Sequence, residues 1–256
     1  MDNSNTMTDR TCEILEYLYS TEKAVGVSKI SNVLDLPKAT VFRILQALEK
    51  WQFVQKKEDS DEYNLGLGMI KYGAKLTSDM TLVTISKSLI NALSIQIGES
   101  VNLNIPYQDQ TLNIYQSPNA NYILISKLTP ISALNCSASG KIFLSQKSTD
   151  AIALYFNHGL YSNRTINSIT DYQSFKKNIE SITDKGIAYD DEEYEYGLFC
   201  FAAPVYHNDL IIASLSVSGP KTRLQYKGLE DLESELKSVS EQISKLIENI
   251  DLNHLL

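Results

Sequence analysis

The tightest constraint on this chain lies near its N-terminus, where three short apolar stripes of helical period follow one another too closely to build anything but a small helical unit. Ile14, Leu15 and Leu18 share one face of residues 10–20, with Thr8 or Asp9 available as the N-cap. Val27, Ile30, Val33 and Leu34 repeat the pattern after Gly26, a tolerated cap. Asp35-Leu36-Pro37 is a short connection that places proline where a helix can begin. The third run reaches about Lys50 and buries Val41, Ile44, Leu45 and Leu48, leaving Lys38, Thr40, Arg43 and Gln46 on or beside the outer face. Gln52 to Lys57, the turn Glu58-Asp59-Ser60-Asp61, and Glu62 to Leu65 then read as a hairpin. Three helices and a hairpin describe a winged helix-turn-helix, whose third helix would enter the DNA major groove.

The charge distribution favours the same reading. From Lys23 to Lys57 there are seven bases and two acids, a local balance of +5. The whole chain carries −8, so the remainder carries −13. A chain this acidic is not a general phosphate binder, because that attraction scales with the positive charge presented. One compact basic segment is a different matter. Arg43 can donate twice to guanine, Gln46 can pair with adenine, and Lys38 and Thr40 can reach a phosphate or a base edge. The bland alternative is a three-helix bundle whose lysines and arginines only solvate its surface.

With 256 residues the chain exceeds one small domain. Leu82, Ile85, Leu89, Ala92, Leu93 and Ile97 predict a helix from about Thr81 to Ile97, read as a linker or as an ordinary packed helix. Strands are expected at Ser100–Pro106, Gln110–Gln116 and Asn121–Lys127, then helices at Ser139–Gln146, Asp150–Phe156 and Tyr172–Asp184. Strands return at Ile187–Asp191, Leu198–Tyr206 and Leu210–Ser218. That order predicts an α+β fold with an antiparallel sheet. The division expected is residues 8–75 for the winged unit, 76–97 for the linker helix and 98–256 for a second domain. Leu229, Leu232, Leu236, Val239, Ile243, Leu246 and Ile250 form one apolar stripe, which suits a coiled coil or, better, a helix lying on its own domain's sheet. No membrane-length apolar run and no signal-peptide pattern occur, so a cytoplasmic protein is expected.

Catalytic spacings are missing. There is no Gly-x-Ser-x-Gly elbow, Gly140-Lys141 lacks the rest of a phosphate loop, and His158, His207 and His254 lie far apart. Neither an enzyme, nor a metal site, nor a cofactor is expected. Asn135 to Lys141 is a small-residue loop opening a helix, either a simple N-cap or a place where free backbone N–H groups favour an anionic group such as a carboxylate. Ser216 and Ser218 project from one strand face, opposite Ala213, Leu215 and Val217, a spacing that suits either a ligand or solvent. Cys136 and Cys200 leave a second function open, a thiol-based redox sensor or redox enzyme, if a helix start lowers a thiol pKa.

Val27-Ser28-Lys29-Ile30 and Leu36 through Leu45, with Tyr63-Asn64-Leu65-Gly66 after the wing, resemble the isocitrate lyase regulator (IclR) family of bacterial transcription factors. Gly186 to Glu193, Gly197, Cys200, Ala202-Ala203-Pro204-Val205 and Leu215 to Pro220 resemble the C-terminal signature of the same family. The resemblance implies a GAF-like second domain that binds a small metabolite, often an acid, and a homodimer or homotetramer on a near-palindromic operator. It implies DNA contacts from Lys38, Thr40, Arg43, Gln46, Lys56 and Lys57, and an effector pocket on Ala138, Ser139, Asp190, Cys200, Ser216 and Ser218. Several positions depart from the pattern. Ala39 stands where the family commonly has serine and Gln52 where it has glycine, and four acids at the wing tip discourage phosphate contact there. Asn135 replaces a frequent histidine, while Tyr196 and Phe199 replace proline and arginine, which predicts a more apolar pocket rim.

Overall fold

In the computed structural model, which describes residues 6–118 and 130–255, the chain divides into two units between Leu76 and Thr77. The first unit opens with α1 (Met7–Ser20), capped by Thr6 rather than by Thr8 or Asp9. Thr6 Oγ1 accepts from Asp9 N at 3.2 Å and the Asp9 carboxylate accepts from Thr6 N at 2.9 Å. Asp9 is therefore the third residue of a capping box and not the cap itself. Strand β1 (Val25–Gly26), α2 (Val27–Leu34), α3 (Lys38–Lys50), β2 (Val54–Lys56) and β3 (Glu62–Leu65) complete the winged unit. Its three strands are antiparallel in the order β1-β3-β2.

Ile14, Leu18, Ile30, Val41, Leu45, Leu48 and Tyr63 meet in the core of this unit. Val33 does not join them and is 56% exposed. The reason is local. Asp35 turns the chain through a left-handed conformation (φ 50°), which tucks Leu36 into the core and leaves Val33 outside. Helix α4 (Gly68–Asp79) runs across the division between the units.

The second unit is a six-stranded antiparallel sheet clothed on both faces. Its elements are α5 (Thr81–Ile97), β4 (Ser100–Tyr107), β5 (Gln110–Gln116), β6 (Ile131–Ala133), α6 (Ala138–Ser145), α7 (Thr149–Asn157) and α8 (Tyr172–Lys185). Then follow β7 (Ala188–Asp191), β8 (Leu198–His207), β9 (Leu210–Pro220), α9 (Lys221–Lys227) and α10 (Leu229–Ile247). The strand order is β6-β5-β4-β9-β8-β7. The strand expected at Asn121–Lys127 lies outside the described residues.

Strand alternation sends Val101, Leu103, Phe201, Leu215 and Val217 to one face of the sheet, where α5 and α10 cover them. Within the segment expected to be a linker, α5 buries Leu82, Ile90 and Leu93 in that layer. Along α10 the buried positions are Leu232, Leu236, Ser240, Ile243 and Ile247, while Leu246 is 55% exposed. The inward face thus follows helical rather than heptad spacing, as a helix packed on its own sheet requires. Glu99, 1% exposed, fixes the start of β4: it accepts from Arg223 Nε and Nη2, each at 2.6 Å, and from Lys227 Nζ at 2.7 Å. On the other face α6, α7 and α8 bury Ile142, Tyr155, Phe156 and Phe175. Among the described residues no single helix is long and apolar enough to cross a membrane.

Candidate functional site

In the first unit, α3 buries Val41, Ile44, Leu45 and Leu48, so its opposite side faces outward. Arg43 and Gln46 are exposed on that outer side, Lys38 is exposed at one flank, and Thr40 is half-buried at the other. Ala39, where the family commonly has serine, and Phe42, 44% exposed, stand on the same surface. In the wing, Lys56 and Lys57 are exposed, but Lys56 Nζ lies 2.6 Å from Asp61 Oδ1. Hydrogen bonding to Asp61 and its charge hold the Lys56 ammonium above its ordinary pKa. Part of the wing's positive charge is thereby matched before any ligand arrives.

In the second unit, the sheet face beneath α6 holds a cavity of about 210 Å³. Ala138, Ser139, Asp190, Cys200, Ser216 and Ser218, the six residues assigned from the sequence, all line it. Three strands and one helix bring them together. Cys200 pairs in register with Ser218 across β8 and β9, Asp190 pairs with Cys200 across β7 and β8, and α6 presents its first turn above them. Ser216 and Ser218 are 6% and 5% exposed, so they are not a solvent-facing pair.

The first turn of α6 is organised by Ser137, whose hydroxyl accepts from Gly140 N at 3.2 Å. Among the described residues the N–H groups of Ala138 and Ser139 have no acceptor, as expected at a helix start. Gly140 is required there, because a Cβ would lie 2.5 Å from Leu134 Cα and 2.6 Å from Leu134 O. The approach of α6 to the preceding segment depends on that missing atom.

Among the lining residues that escaped the sequence reading are four with amide side chains, Asn102, Asn104, Asn113 and Gln116. Asn102 and Asn104 alternate along β4 as Ser216 and Ser218 do along β9, which was the available signal. Asn104 Nδ2 lies 2.9 Å from Ser139 Oγ and 3.1 Å from Ser216 Oγ, and Asn104 Oδ1 accepts from Asn113 Nδ2 at 3.1 Å. Asn102 Nδ2 lies 3.3 Å from Ser218 Oγ. Among the described residues no lysine, arginine or histidine lines the cavity.

Asp190 Oδ1 accepts from Glu193 N at 2.9 Å and from Tyr194 N at 3.1 Å. Those bonds favour the carboxylate, but burial and the Glu193 charge outweigh them and push its pKa up to about 7. Glu193 in turn pairs with Lys141, whose Nζ also donates to Tyr189 O at 2.7 Å and Asn178 Oδ1 at 3.3 Å. Burial pushes Cys136 up to about 12 and Cys200 well above the ordinary thiol value, with Asp190 adding to both. A thiol-based mechanism needs thiolate, which burial disfavours at both sites.

Two expectations about the rim are corrected. Phe199 lies on the opposite sheet face, against Tyr189 and Phe201, because strand alternation carries it away from Cys200. Tyr196 is 59% exposed outside the lining and accepts from Ile166 N at 3.2 Å. Asn135 does not line the cavity either. Its amide donates to Ser162 O and Ile169 O, each at 2.7 Å, and its carbonyl accepts from Ser162 N and Tyr155 Oη. Its role is to pin the 162–169 loop.

Residues 74–245 match the family model described as the C-terminal part of the bacterial transcriptional regulator IclR, and residues 8–58 match the IclR helix-turn-helix domain. An uncharacterized HTH-type transcriptional regulator of Haemophilus influenzae is 27% identical over 92% of this chain and 90% of its own length. The HTH-type transcriptional repressor AllR of Escherichia coli is 28% identical over 84% of this chain and 80% of its own. The crystal structure of the Thermotoga maritima IclR superposes with a TM-score of 0.68 at 26% identity, covering 94% of this chain and 98% of that one. The Haemophilus influenzae and Escherichia coli relatives are named as a transcriptional regulator and a transcriptional repressor, not as enzymes. The basic outer face of a winged helix-turn-helix and the match of both units agree: the chain belongs to the IclR family, as a DNA-binding transcriptional regulator.

Proposed function

We propose that this regulator's hold on its operator is set by a small carboxylate bound in the cavity beneath α6. The observation that carries the reading is a cavity, free of cationic side chains among the described residues, in which hydroxyl and N–H donors converge. N–H groups of Ala138 and Ser139 would receive the carboxylate, and the hydroxyls of Ser216 and Ser218 would donate to it. Asp190, near half-protonation at neutral pH, would donate to the acid or accept from a ligand hydroxyl. Cys200 packs as a small apolar wall. The volume lies below that of pockets for drug-sized ligands, roughly 300–1,000 Å³, which suits a compact metabolite.

On DNA, Arg43 and Gln46 would read base edges while Lys38, Thr40, Lys56 and Lys57 contact phosphates or adjacent edges. A homodimer or homotetramer in the cytoplasm would place two third helices on a near-palindromic site, since one modest basic helix gives little specificity alone. Selection of binding sites from random DNA, followed by gel shift, tests this half directly. Arg43→Ala should weaken binding to the selected site by about 1–3 kcal/mol and leave random DNA nearly unaffected. Equal loss on both would reassign Arg43 to phosphate contact, and failure to select any site at low salt would refute operator binding.

A further inference from the structure

The serine hydroxyls of the cavity are not free to choose their hydrogen-bond direction. Asn104 presents Nδ2 to both Ser139 Oγ and Ser216 Oγ. Asn102 O, which can only accept, also lies 3.5 Å from that end, and the other end of the side chain faces Asn113 Nδ2 at 3.1 Å, an arrangement that places the amide nitrogen toward the serines. An Oγ already accepting from an amide keeps its own proton for another partner. Among the described residues neither hydroxyl finds an acceptor, and both line the cavity.

We infer that Asn104 is a positioning residue that, held by Asn113, sets the polarity of the cavity so that Ser139 and Ser216 act as donors. This rests on the carboxylate reading above and deepens it: the network selects ligands whose buried end accepts hydrogen bonds only. A carboxylate accepts at both oxygens, whereas the matching primary amide brings an NH₂ group against donor protons. Selection therefore comes from the orientation of neutral dipoles and needs no cation.

Asn104→Asp keeps the shape and reverses the direction. Its oxygens would draw the Ser139 and Ser216 protons away from the ligand. Asn113→Asp acts one step away at a half-buried position, turning the Asn104 amide round so that Oδ1 faces the serines. It serves if the buried variant does not fold. Gln116→Glu adds a charge to the same lining without touching the relay and controls for charge alone. The probes are isosteric pairs, pyruvate with pyruvamide, lactate with lactamide and benzoate with benzamide, measured by thermal shift and calorimetry.

Wild type should prefer a carboxylate over its amide, and Asn104→Asp or Asn113→Asp should lower that ratio by about tenfold or more, beyond the change in Gln116→Glu. A merely structural role would weaken both members of a pair and leave the ratio alone. An unchanged ratio, or one that moves no further than in the charge control, overturns the relay while sparing the carboxylate reading. A wild type that binds no carboxylate of the set, or binds the amides as well, counts against both.

Discussion

Gln52 shows how one side chain can oppose its own backbone. Helix α3 ends in a paired turn in which Phe53 N donates to Leu48 O and Gln52 N to Glu49 O, each at 2.9 Å. That pattern needs a left-handed residue at the position of Gln52, whose φ is 60°, and glycine is the residue that takes it without strain. The same peptide is gripped from outside. Gly68 N donates to Gln52 O at 2.9 Å, and a Cβ on Gly66 or Gly68 would lie 2.3 or 2.6 Å from that oxygen. The backbone is over-determined, so the strain stays in place. Gln52→Gly should raise the stability of the first unit by about 1 kcal/mol, read from chemical denaturation followed at Trp51.

At this scale the sequence was informative where a rule is periodic and silent where it depends on distant chain. Strand alternation places Ser216 and Ser218 on one face, and the family resemblance assigns that face to the pocket. Asn102 and Asn104 obey the same alternation but read as polar spacers in a strand, because their meaning comes from Ser139 and Ser216 across the fold. Asn135 stands out in the sequence only as a departure from the family's histidine. Three of its four bonds reach a loop some thirty residues on, which no local pattern announces.

Among the elements, the wing carries the clearest internal conflict. The turn between β2 and β3 holds Glu58, Asp59 and Asp61, with Glu62 opening β3, and Asp61 engages Lys56. Both ends of that pair are exposed, so its own contribution to folding is small. Its effect on DNA is larger in proportion, because it places negative charge where a wing meets phosphate. Asp61→Asn should free Lys56 and tighten binding to selected and random DNA alike, by about twofold to fivefold, with a steeper salt dependence. A gain confined to the selected site in a salt titration would instead make Asp61 a specificity residue. The existence of helices and strands was legible from period and turn residues. Their edges were less so, as Thr6, Val33 and the burial of α5 show, since caps and tertiary cover set them.

For the whole molecule, the partition of charge separates two tasks. A basic helix sits in an acidic chain, and a cavity whose described lining holds no cation is asked to hold an acid. Asp190 links the second task to pH. Its folded pKa is raised from 3.8 to about 7, so between those values the folded chain holds a proton that the unfolded chain has released. This group's contribution to stability is therefore greatest in acid and drains away as pH rises through about 7. A bound carboxylate favours the protonated form further. Its affinity should fall above pH 7, by up to tenfold per pH unit, and Asp190→Asn should flatten the profile. Calorimetry from pH 6 to 8 reads both, and a flat profile in the wild type would remove Asp190 from the ligand's surroundings.

The central claim is a coupling between the cavity and the operator. Fluorescence anisotropy on the selected operator, at fixed salt and with and without a saturating carboxylate chosen by thermal shift, measures it most directly. The apparent Kd for DNA should change by about fivefold or more, in either direction. A carboxylate that binds tightly and leaves that Kd unmoved would contradict the claim.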